Sequence, residues 1–319
     1  MAGILVVAEV VDGELQPISH ELLGAARKLS EQGAGDVSAF VAGEQHAQDL
    51  FAHGADTVYA GTADNLQSGY PDFYVEPVSA AIEQSGADIV LLGQTQLGRD
   101  LGPMLAFRSK TAVSMETVDL QVQDGRLRAT RACYGGNARA ELTWKQPLQI
   151  ATVKAKSFDP LEPDTSRSGE VKTIDTAGDS KVEVLSTEKV EATGVRLEDA
   201  PVVVSGGRGL GDPSAFGMLE ELAGLMRGAT GASRAACDLG WYPPSQQVGL
   251  TGKVVSPNVY IAVAISGASQ HMAGMAGSKN VVAINKDADA NMVKVSKFAI
   301  VDDYKKVVPA LIEEIKKVK

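Results

Sequence analysis

Four glycine-rich segments in the last third of the chain combine glycines with side chains that bind phosphate groups. The first, GGRGLG at residues 206–211, follows an apolar run, so Arg208 and several glycine amides stand just after a predicted strand. Backbone N–H groups and a guanidinium in such a turn suit a phosphate. The segment departs from the dinucleotide spacing G-x-G-x-x-G, since Asp212 or Ser214 takes the place of the third glycine. A G-x-x-x-x-G-K-S/T segment for a nucleoside triphosphate is also lacking from the sequence.

The other three segments carry hydroxyl, amide and cationic side chains. They are GASR at residues 231–234, QVGLTGK at 247–253 and SGASQH at 266–271. The last follows a predicted buried strand, Val259–Ile265, so its polar groups emerge at the carboxyl end of that strand, where open α/β sheets bind ligands. Four such segments in one small domain predict a large polar ligand with an internal pyrophosphate.

An alternation of short apolar runs and helical patterns precedes these segments. Strands are predicted at residues 4–10, 36–42, 57–60 and 88–93, and helices at 18–32, 75–84 and 101–110. Continuous apolar strands separated by helices are typical of a parallel sheet covered on both faces. Asp124-Gly125 then predicts a hairpin, and residues 135–137 a second turn of the same kind. Residues 150–156 are predicted to extend this antiparallel addition to the sheet.

The last third of the chain restarts the strand–helix rhythm. Strands are predicted at residues 201–205, 259–265, 281–284 and 299–301, and helices at 213–226 and 304–317. We therefore predict an α/β protein with two doubly wound parallel-sheet domains, residues 1–197 and 198–319, the first with an antiparallel hairpin extension. Residues 159–180, rich in Asp, Ser, Thr, Gly and Pro, are predicted to be a surface linker. Residues 181–191 are predicted to add one strand before the boundary.

Composition and charge exclude several classes of protein. The 319 residues are enough for about two domains, and the net charge of −10 argues against nucleic acid as a partner. The charge is uneven: residues 1–200 hold 17 Lys and Arg against 30 Asp and Glu, whereas residues 201–319 hold 13 against 10. The mildly basic, glycine-rich last third suits an anionic small ligand.

Cysteine and histidine usage narrows the chemistry further. Two isolated cysteines, Cys133 and Cys237, cannot form a disulfide framework or an iron–sulfur or zinc cluster. His20, His46 and His53 show no metal-ligand spacing and are predicted to be solvated, so no metal is expected. The chain has no apolar stretch approaching ~20 residues, and its start has no basic lead-in, so we expect no membrane insertion and a reducing, cytoplasmic location.

The run YIAVAISGASQHMAGMAGSKNVVAINKD at residues 260–287 resembles the signature of the electron transfer flavoprotein α-subunit family, which includes FixB. GGRGLG, GASRAACDLGW and QVGLTGK precede it in the order that this family shows, and the likeness covers essentially all of residues 200–319. The resemblance implies FAD in the C-terminal domain and a heterodimer with a β subunit. It also implies an electron carrier rather than a substrate-converting enzyme. Such a carrier takes electrons from flavin dehydrogenases, such as acyl-CoA dehydrogenases, and passes them to a membrane quinone oxidoreductase or another acceptor. It would lie in the cytoplasm, or in the mitochondrial matrix of a eukaryote.

The resemblance also assigns site residues. Arg234 and Thr251 match the groups nearest the isoalloxazine ring, and His271 matches a neighbour of its O2/N1 side, where positive groups would stabilise a reduced, anionic flavin. Asp303 suits the adenosine end. The full set matching FAD contacts is Arg208, Ser233, Arg234, Val248, Gly249, Leu250, Thr251, Ser266, Gly267, Ala268, Ser269, Gln270, His271, Asn285, Asp303 and Tyr304.

Two residues depart from the pattern of the family, and two other functions stay open. Leu250 stands where Gln is expected and Ser269 where Ile is usual, so both bear on the flavin potential and the choice of redox partner. One alternative is an electron-bifurcating member of the family, with a second flavin in the β subunit and NADH as donor. Another is a nucleotide-dependent transferase or NAD enzyme on a similar domain. It would need a nucleophile or an acid–base pair in a loop, for which His271 is the candidate.

Overall fold

A computed structural model describes residues 3–134, 138–178, 180–186 and 195–318. The chain divides into two compact units, residues 1–187 and 188–319. Leu197, the last residue of the predicted first domain, packs in the core of the second unit. A boundary after residue 197 stays a prediction, because residues 187–194 lie outside the described part of the chain.

The N-terminal unit is built on a sheet of nine strands in the order β11-β5-β4-β1-β6-β10-β7-β8-β9. These strands are β1 (Ile4–Val7), β4 (Val37–Ala42), β5 (Thr57–Gly61), β6 (Ile89–Gly93), β7 (Val113–Gln123), β8 (Arg126–Cys133), β9 (Ala138–Leu142), β10 (Gln149–Val153) and β11 (Glu170–Ile174). Strands β2 (Val10–Val11) and β3 (Glu14–Leu15) form a separate small hairpin. The strands from β11 to β7 pair in parallel, which confirms the predicted parallel sheet.

Helices cover both faces of this sheet. They are α1 (Pro17–Leu29), α2 (Ala47–Ala52), α3 (Pro71–Ser85) and α4 (Gln96–Arg108). The alternation along β1 shows why both are needed: Ile4 and Val6 join the core under α1 and α2, whereas Leu5 and Val7 join the core under α3 and α4. A strand that buries consecutive residues on opposite faces requires cover on both sides.

The antiparallel extension is present but ends earlier than predicted. Asp124 and Gly125 both have positive φ, 53° and 69°, as a tight hairpin turn between β7 and β8 requires. β8 and β9 also pair antiparallel, although the turn predicted at residues 135–137 lies outside the described residues. The prediction that residues 150–156 continue this addition is wrong. β10 lies between β6 and β7 and runs parallel to both, because its five residues are all buried and need neighbours on both edges.

The predicted linker at residues 159–180 contains a strand. β11 pairs in parallel with β5 at the edge of the sheet, so part of this polar segment belongs to the fold. The alternation in EVKTI is that of an edge strand, since Lys172 and Ile174 are half-buried and buried on one face, whereas Val171 and Thr173 are exposed on the other. The strand predicted at 181–191 is not seen in residues 181–186, and the rest of that range lies outside the described residues.

The C-terminal unit has six parallel strands in the order β14-β13-β12-β15-β16-β17. They are β12 (Val202–Gly206), β13 (Ala229–Ser233), β14 (Gln247–Val248), β15 (Val259–Val263), β16 (Asn280–Ile284) and β17 (Phe298–Ile300). The helices are α5 (Phe216–Leu225), α6 (Arg234–Asp238), α7 (Ser269–Met275), α8 (Asn291–Val295) and α9 (Tyr304–Val318). This confirms a second doubly wound domain, in which the order of the strands reverses between β12 and β15.

Candidate functional site

A pocket of about 620 Å³ opens at the carboxyl edge of the second sheet. Its walls come from the segments that follow β12, β13, β14, β15 and β16, and they include Arg208, Arg234, Thr251, His271 and Asn285. The loops after β12 and β15 flank the point where the strand order reverses, which is where open α/β sheets bind ligands. The volume lies within the range of small-molecule and cofactor sites.

Gly207 and Gly209 let two loops of this pocket touch through their backbones. A Cβ atom on either residue would collide with the carbonyl oxygen of Ala264, which follows β15. Ala264 itself has a positive φ of 54°, so the second loop is also held in an uncommon conformation. The glycines of GGRGLG are therefore needed for the contact between these loops.

Further hydrogen bonds join the remaining loops. The Leu250 N–H donates to the Gln270 carbonyl (2.8 Å), which connects the loop after β14 to α7. The Asn285 side-chain amide donates to the Ile265 carbonyl (2.9 Å), which connects the loop after β16 to the loop after β15. These bonds prearrange the pocket walls before any ligand arrives.

His271 lies at the inner wall of the pocket and is neutral at neutral pH. Its side chain is 6% exposed, and its Nε2 lies 2.8 Å from the hydroxyl of Tyr260, which is fully buried. Burial disfavours the imidazolium and lowers the pKa of His271 to about 4, opposed in part by the Val248 backbone. His271 is therefore a neutral imidazole in this pocket, and its role beside the flavin ring stays a prediction.

The hydrogen bond to Tyr260 is linked to the tautomer of the His271 ring. When the phenolic O–H donates, Nε2 is the unprotonated acceptor and the proton lies on Nδ1. Nδ1 is buried and faces the Val248 backbone, but it forms no well-aligned hydrogen bond within the described residues. A buried donor with so weak a partner is costly, and this one belongs to a residue of the pocket wall. It is available to an acceptor atom of a bound ligand.

The positive charge of the pocket comes from arginine. Arg234 begins α6, its side chain is 68% exposed, and its Nε lies 3.4 Å from the Asp238 carboxylate one turn later. Arg208 is exposed in the loop after β12, and within the described part of the chain it forms no ion pair. Thr251 accepts a hydrogen bond from the Gln247 side-chain amide (3.1 Å). The pocket thus offers two guanidinium groups, hydroxyls and backbone amides to an anionic, polar ligand.

Comparison with known proteins places the chain in a family. A model described as "Electron transfer flavoprotein domain" matches residues 4–179, and one described as "Electron transfer flavoprotein FAD-binding domain" matches residues 196–276. The chain is 39% identical to the electron transfer flavoprotein subunit alpha of Bacillus subtilis over 98% of this chain and 97% of the relative. It is 41% identical to that of Megasphaera elsdenii over 99% and 97%, and 37% identical to Protein FixB of Clostridium saccharobutylicum over 99% and 97%. The chain belongs to the electron transfer flavoprotein α-subunit family. The resemblance found in the sequence is thereby confirmed, as is an FAD-binding domain.

Twelve of the sixteen residues predicted for the flavin site of this electron transfer flavoprotein domain line the pocket. Gly267, Ser269, Asp303 and Tyr304 are not among its lining residues. Gly267 has a φ of 83° and packs against the backbone of Met292. The Ser269 hydroxyl lies 3.2 Å from the Gln270 side-chain oxygen.

Asp303 and Tyr304 support the pocket from outside. The Asp303 carboxylate lies 2.9 Å from the Lys286 ammonium and accepts from the Lys305 N–H. The buried Tyr304 hydroxyl donates to the Leu210 carbonyl (2.6 Å) at the end of the Arg208 turn. Tyr304 therefore holds the GGRGLG loop, and a contact of Asp303 with the adenosine end stays a prediction.

The predicted set of flavin contacts leaves out Asp238 and Asp287, which line the pocket, and Gln247, which lines it within the predicted segment QVGLTGK. No strand is predicted at residues 229–233, whereas Ala229–Ser233 is strand β13 and Arg234 begins a helix. The small residues of ATGAS hide a strand because they lack the β-branched, apolar run that marks the other strands. The i,i+4 spacing of Arg234 and Asp238 could have indicated their contact.

The residues of the pocket fit FAD. Nδ1 of His271, which has no well-aligned partner, offers a hydrogen bond to an acceptor on a flavin ring, and Arg208 beside glycine amides offers a phosphate site. No helix within the described residues is long and apolar enough to span a bilayer.

Proposed function

We propose that this chain is the α subunit of a heterodimeric electron transfer flavoprotein, and that the pocket between β12 and β15 holds its FAD. In this proposal it carries electrons from flavin dehydrogenases, such as acyl-CoA dehydrogenases, to a quinone oxidoreductase or another acceptor. The observation that carries the proposal is the convergence of five strand-end segments on one pocket at the reversal of strand order. The relatives are named as alpha subunits, which supports a partner subunit.

Each part of the pocket has a separate task in this proposal. Arg208 and the amides of the GGRGLG loop bind the pyrophosphate, as a guanidinium and free N–H groups do. His271 donates from Nδ1 to an acceptor atom on the pyrimidine side of the ring, and Thr251 offers a hydroxyl. Arg234 supplies the positive charge that favours a negatively charged ring. When bound, FAD supplies the chemistry of accepting and releasing electrons.

The outer part of the pocket indicates where partners approach. Arg234 is 68% exposed and Leu250 is 64% exposed, although both line the pocket. A single exposed leucine is ordinary on a protein surface, so it is the opening of the pocket beside both residues that favours this side for contact with another protein. In the proposal, the β subunit or a redox partner covers this side, and Leu250, where the family pattern has Gln, contributes to the choice.

FAD content tests the site. The chain, co-expressed with the β subunit of the same organism, should purify as a yellow heterodimer that releases FAD on denaturation. Arg208→Ala should weaken FAD binding about tenfold or more, because a charge-assisted hydrogen bond contributes ~1.5–3 kcal/mol. Arg227→Ala is the matched control, since Arg227 is exposed in the same unit and is not among the lining residues of the pocket. A colourless heterodimer that takes up no added FAD contradicts the proposal.

The donor is tested on the same heterodimer. Reduction by an acyl-CoA dehydrogenase and its substrate, with no reduction by NADH, supports the simple carrier. Rapid reduction by NADH, together with a second flavin per heterodimer, supports the bifurcating alternative. Conversion of a nucleotide substrate without any bound flavin supports the transferase or NAD-enzyme alternative.

A further inference from the structure

Two histidines and an aspartate converge on the surface of the N-terminal unit. His20 lies on α1, Asp49 on α2, and His53 follows the last residue of α2. The imidazole rings of His20 and His53 stack with centroids 3.8 Å apart and an angle of 18° between their planes. The Asp49 carboxylate lies 3.3 Å from His20 Nε2 and 2.8 Å from His53 Nδ1. His53 Nδ1 also lies 2.9 Å from the Asp49 backbone carbonyl, so this nitrogen carries a proton that an ion bound there would displace. One ligand atom from each of the three side chains can be chosen so that all lie within 4.8 Å of one another.

The distances require only side-chain movement to close around an ion. Zn–N bonds of ~2.0–2.1 Å in a tetrahedral site place ligand atoms roughly 3.4 Å apart. The atoms here lie within 4.8 Å, so rotation of the three side chains on fixed helices can bring them together. Their side chains are 13–45% exposed, so an ion can reach them from solvent.

We propose that His20, Asp49 and His53 form a binding site for a divalent transition-metal ion of the zinc type, which joins α1 to the end of α2. Two imidazoles and one carboxylate are a donor set for such borderline ions, and three protein ligands leave a position for water or for a side chain of another protein. His20 is 29 residues from Asp49 in sequence, so the spacing rules for local metal motifs do not detect this site. The ion would clamp two helices that already share a core through Leu22 and Leu50.

Zinc binding to the full-length chain without an affinity tag tests this site. Isothermal titration calorimetry with ZnCl₂ should show one ion bound per chain. Co²⁺ should give the d–d absorption bands of a site with a low coordination number. His53→Gln and His20→Gln should each weaken binding at least tenfold, since changes that merely disturb ligand orientation already cost ~10–100-fold. His46→Gln is the matched control, because His46 is partly exposed and contacts Gln45 outside the cluster.

Thermal unfolding separates a lost ligand from a lost fold. Zn²⁺ should raise the unfolding temperature of the wild type and of His46→Gln but not of His53→Gln, which should otherwise unfold as the wild type does without metal. Cys133→Ser should leave the stoichiometry unchanged, which excludes the partly exposed thiol as the site. The proposal is overturned if the wild type binds no Zn²⁺ at 100 μM, or if His53→Gln and His20→Gln bind it as tightly as the wild type.

Discussion

His271 and Arg234 lie in the same pocket but act on a ligand in different ways. His271 is buried and neutral, so it contributes a directed hydrogen bond, whereas Arg234 is exposed and contributes charge through solvent. A hydrogen bond depends on the orientation of the ring, and the charge depends on its neighbours and on ionic strength. The two residues are therefore separable by mutation.

Tyr260→Phe should change the tautomer of His271 without emptying the core. Phenylalanine keeps the packing of the buried ring but removes the O–H that donates to Nε2, so Nε2 becomes available for protonation. We expect the Nδ1–H tautomer to dominate in the wild type and to lose that dominance in the variant. Nitrogen-15 NMR of histidine-labelled protein measures this directly. Equal tautomer populations in both proteins would show that Tyr260 does not orient the ring.

Arg234→Ala and Asp238→Asn should shift the flavin potential in opposite directions. Removing the guanidinium takes positive charge from the pocket and lowers the first reduction potential, whereas removing the carboxylate 3.4 Å from Nε frees that charge and raises it. Because Arg234 is mostly exposed, we expect tens of millivolts, with ~59 mV per ~1.4 kcal/mol for one electron. Spectroelectrochemistry at low and high salt measures both. An unchanged first potential in Arg234→Ala refutes its role.

Glu9 at the end of β1 makes the N-terminal unit sensitive to pH. Its carboxyl is buried and accepts from the Thr95 hydroxyl (2.7 Å), and burial raises the pKa of Glu9 from 4.5 to about 7. The folded state therefore binds more protons than the unfolded state between these values, so stability falls as pH rises through that window. Glu9→Gln should be more stable than wild type by up to about 3 kcal/mol at pH 8 and nearly equal to it at pH 4.

Chemical unfolding at the two pH values, followed by Trp144 fluorescence, measures this effect. Trp144 is buried in the N-terminal unit, and a Trp241→Phe background removes the signal of the other unit. An identical pH dependence in wild type and Glu9→Gln would mean that Glu9 does not titrate in this window.

Among the helices and strands, the most reliable sign in the sequence was an unbroken apolar run, which indicates a strand buried on both faces. The runs ILVV in β1 and IVLLG in β6 are wholly buried, and their unbroken apolar character indicated parallel strands correctly. The helix ending at Gly86 was also predictable, because a glycine with φ of 65° ends it in the left-handed conformation. The local sequence pattern thus predicts elements that have an unbroken apolar run or a clear terminating residue.

Pairing partners are not encoded locally, which is why the neighbours of β10 were predicted wrongly. Residues 149–153 look the same whether their neighbours are antiparallel hairpins or β6 and β7, and only the completed sheet distinguishes them. The same limit applied to the site. The four segments with phosphate-binding character were predictable, but the contact of Gly207 with Ala264 joins residues far apart in sequence. Asp287, outside the four segments, lines the pocket because of that assembly.

Gly207→Ala should disrupt the pocket at the level of the loops. A methyl group at this position collides with the Ala264 carbonyl, so the loops after β12 and β15 must separate. We expect a loss of ~1–3 kcal/mol in stability, typical of overpacking, together with weaker FAD binding. Gly217→Ala is the control, since Gly217 is exposed in α5 with open space around it and alanine favours helix by up to about 1 kcal/mol. If both variants bind FAD equally, close approach of the two loops is not required.

For the molecule as a whole, the two units differ in charge and each has its own cores. Acidic residues dominate the first 200 residues, whereas the remainder carries a slight excess of basic residues around an anion-binding pocket. Each sheet is packed on both faces by its own helices, with Val203 and Val204 of β12 facing the two cores of the C-terminal unit. A unit with helices on both faces of a six-stranded sheet buries enough apolar surface to fold alone.

A fragment of residues 195–319 should therefore fold cooperatively and keep the pocket. It retains Leu197 in its core and the ion pair between Glu198 and Lys253, as well as every residue that lines the pocket. Circular dichroism should show a single thermal transition, and added FAD should raise its midpoint, since a ligand that binds the folded state stabilises it. A fragment of residues 207–319 is the control, because it lacks β12, the strand on which the two halves of the sheet pair. We expect this control to be unfolded. If the 207–319 fragment folds and the 195–319 fragment does not, the cores of this unit do not determine its stability.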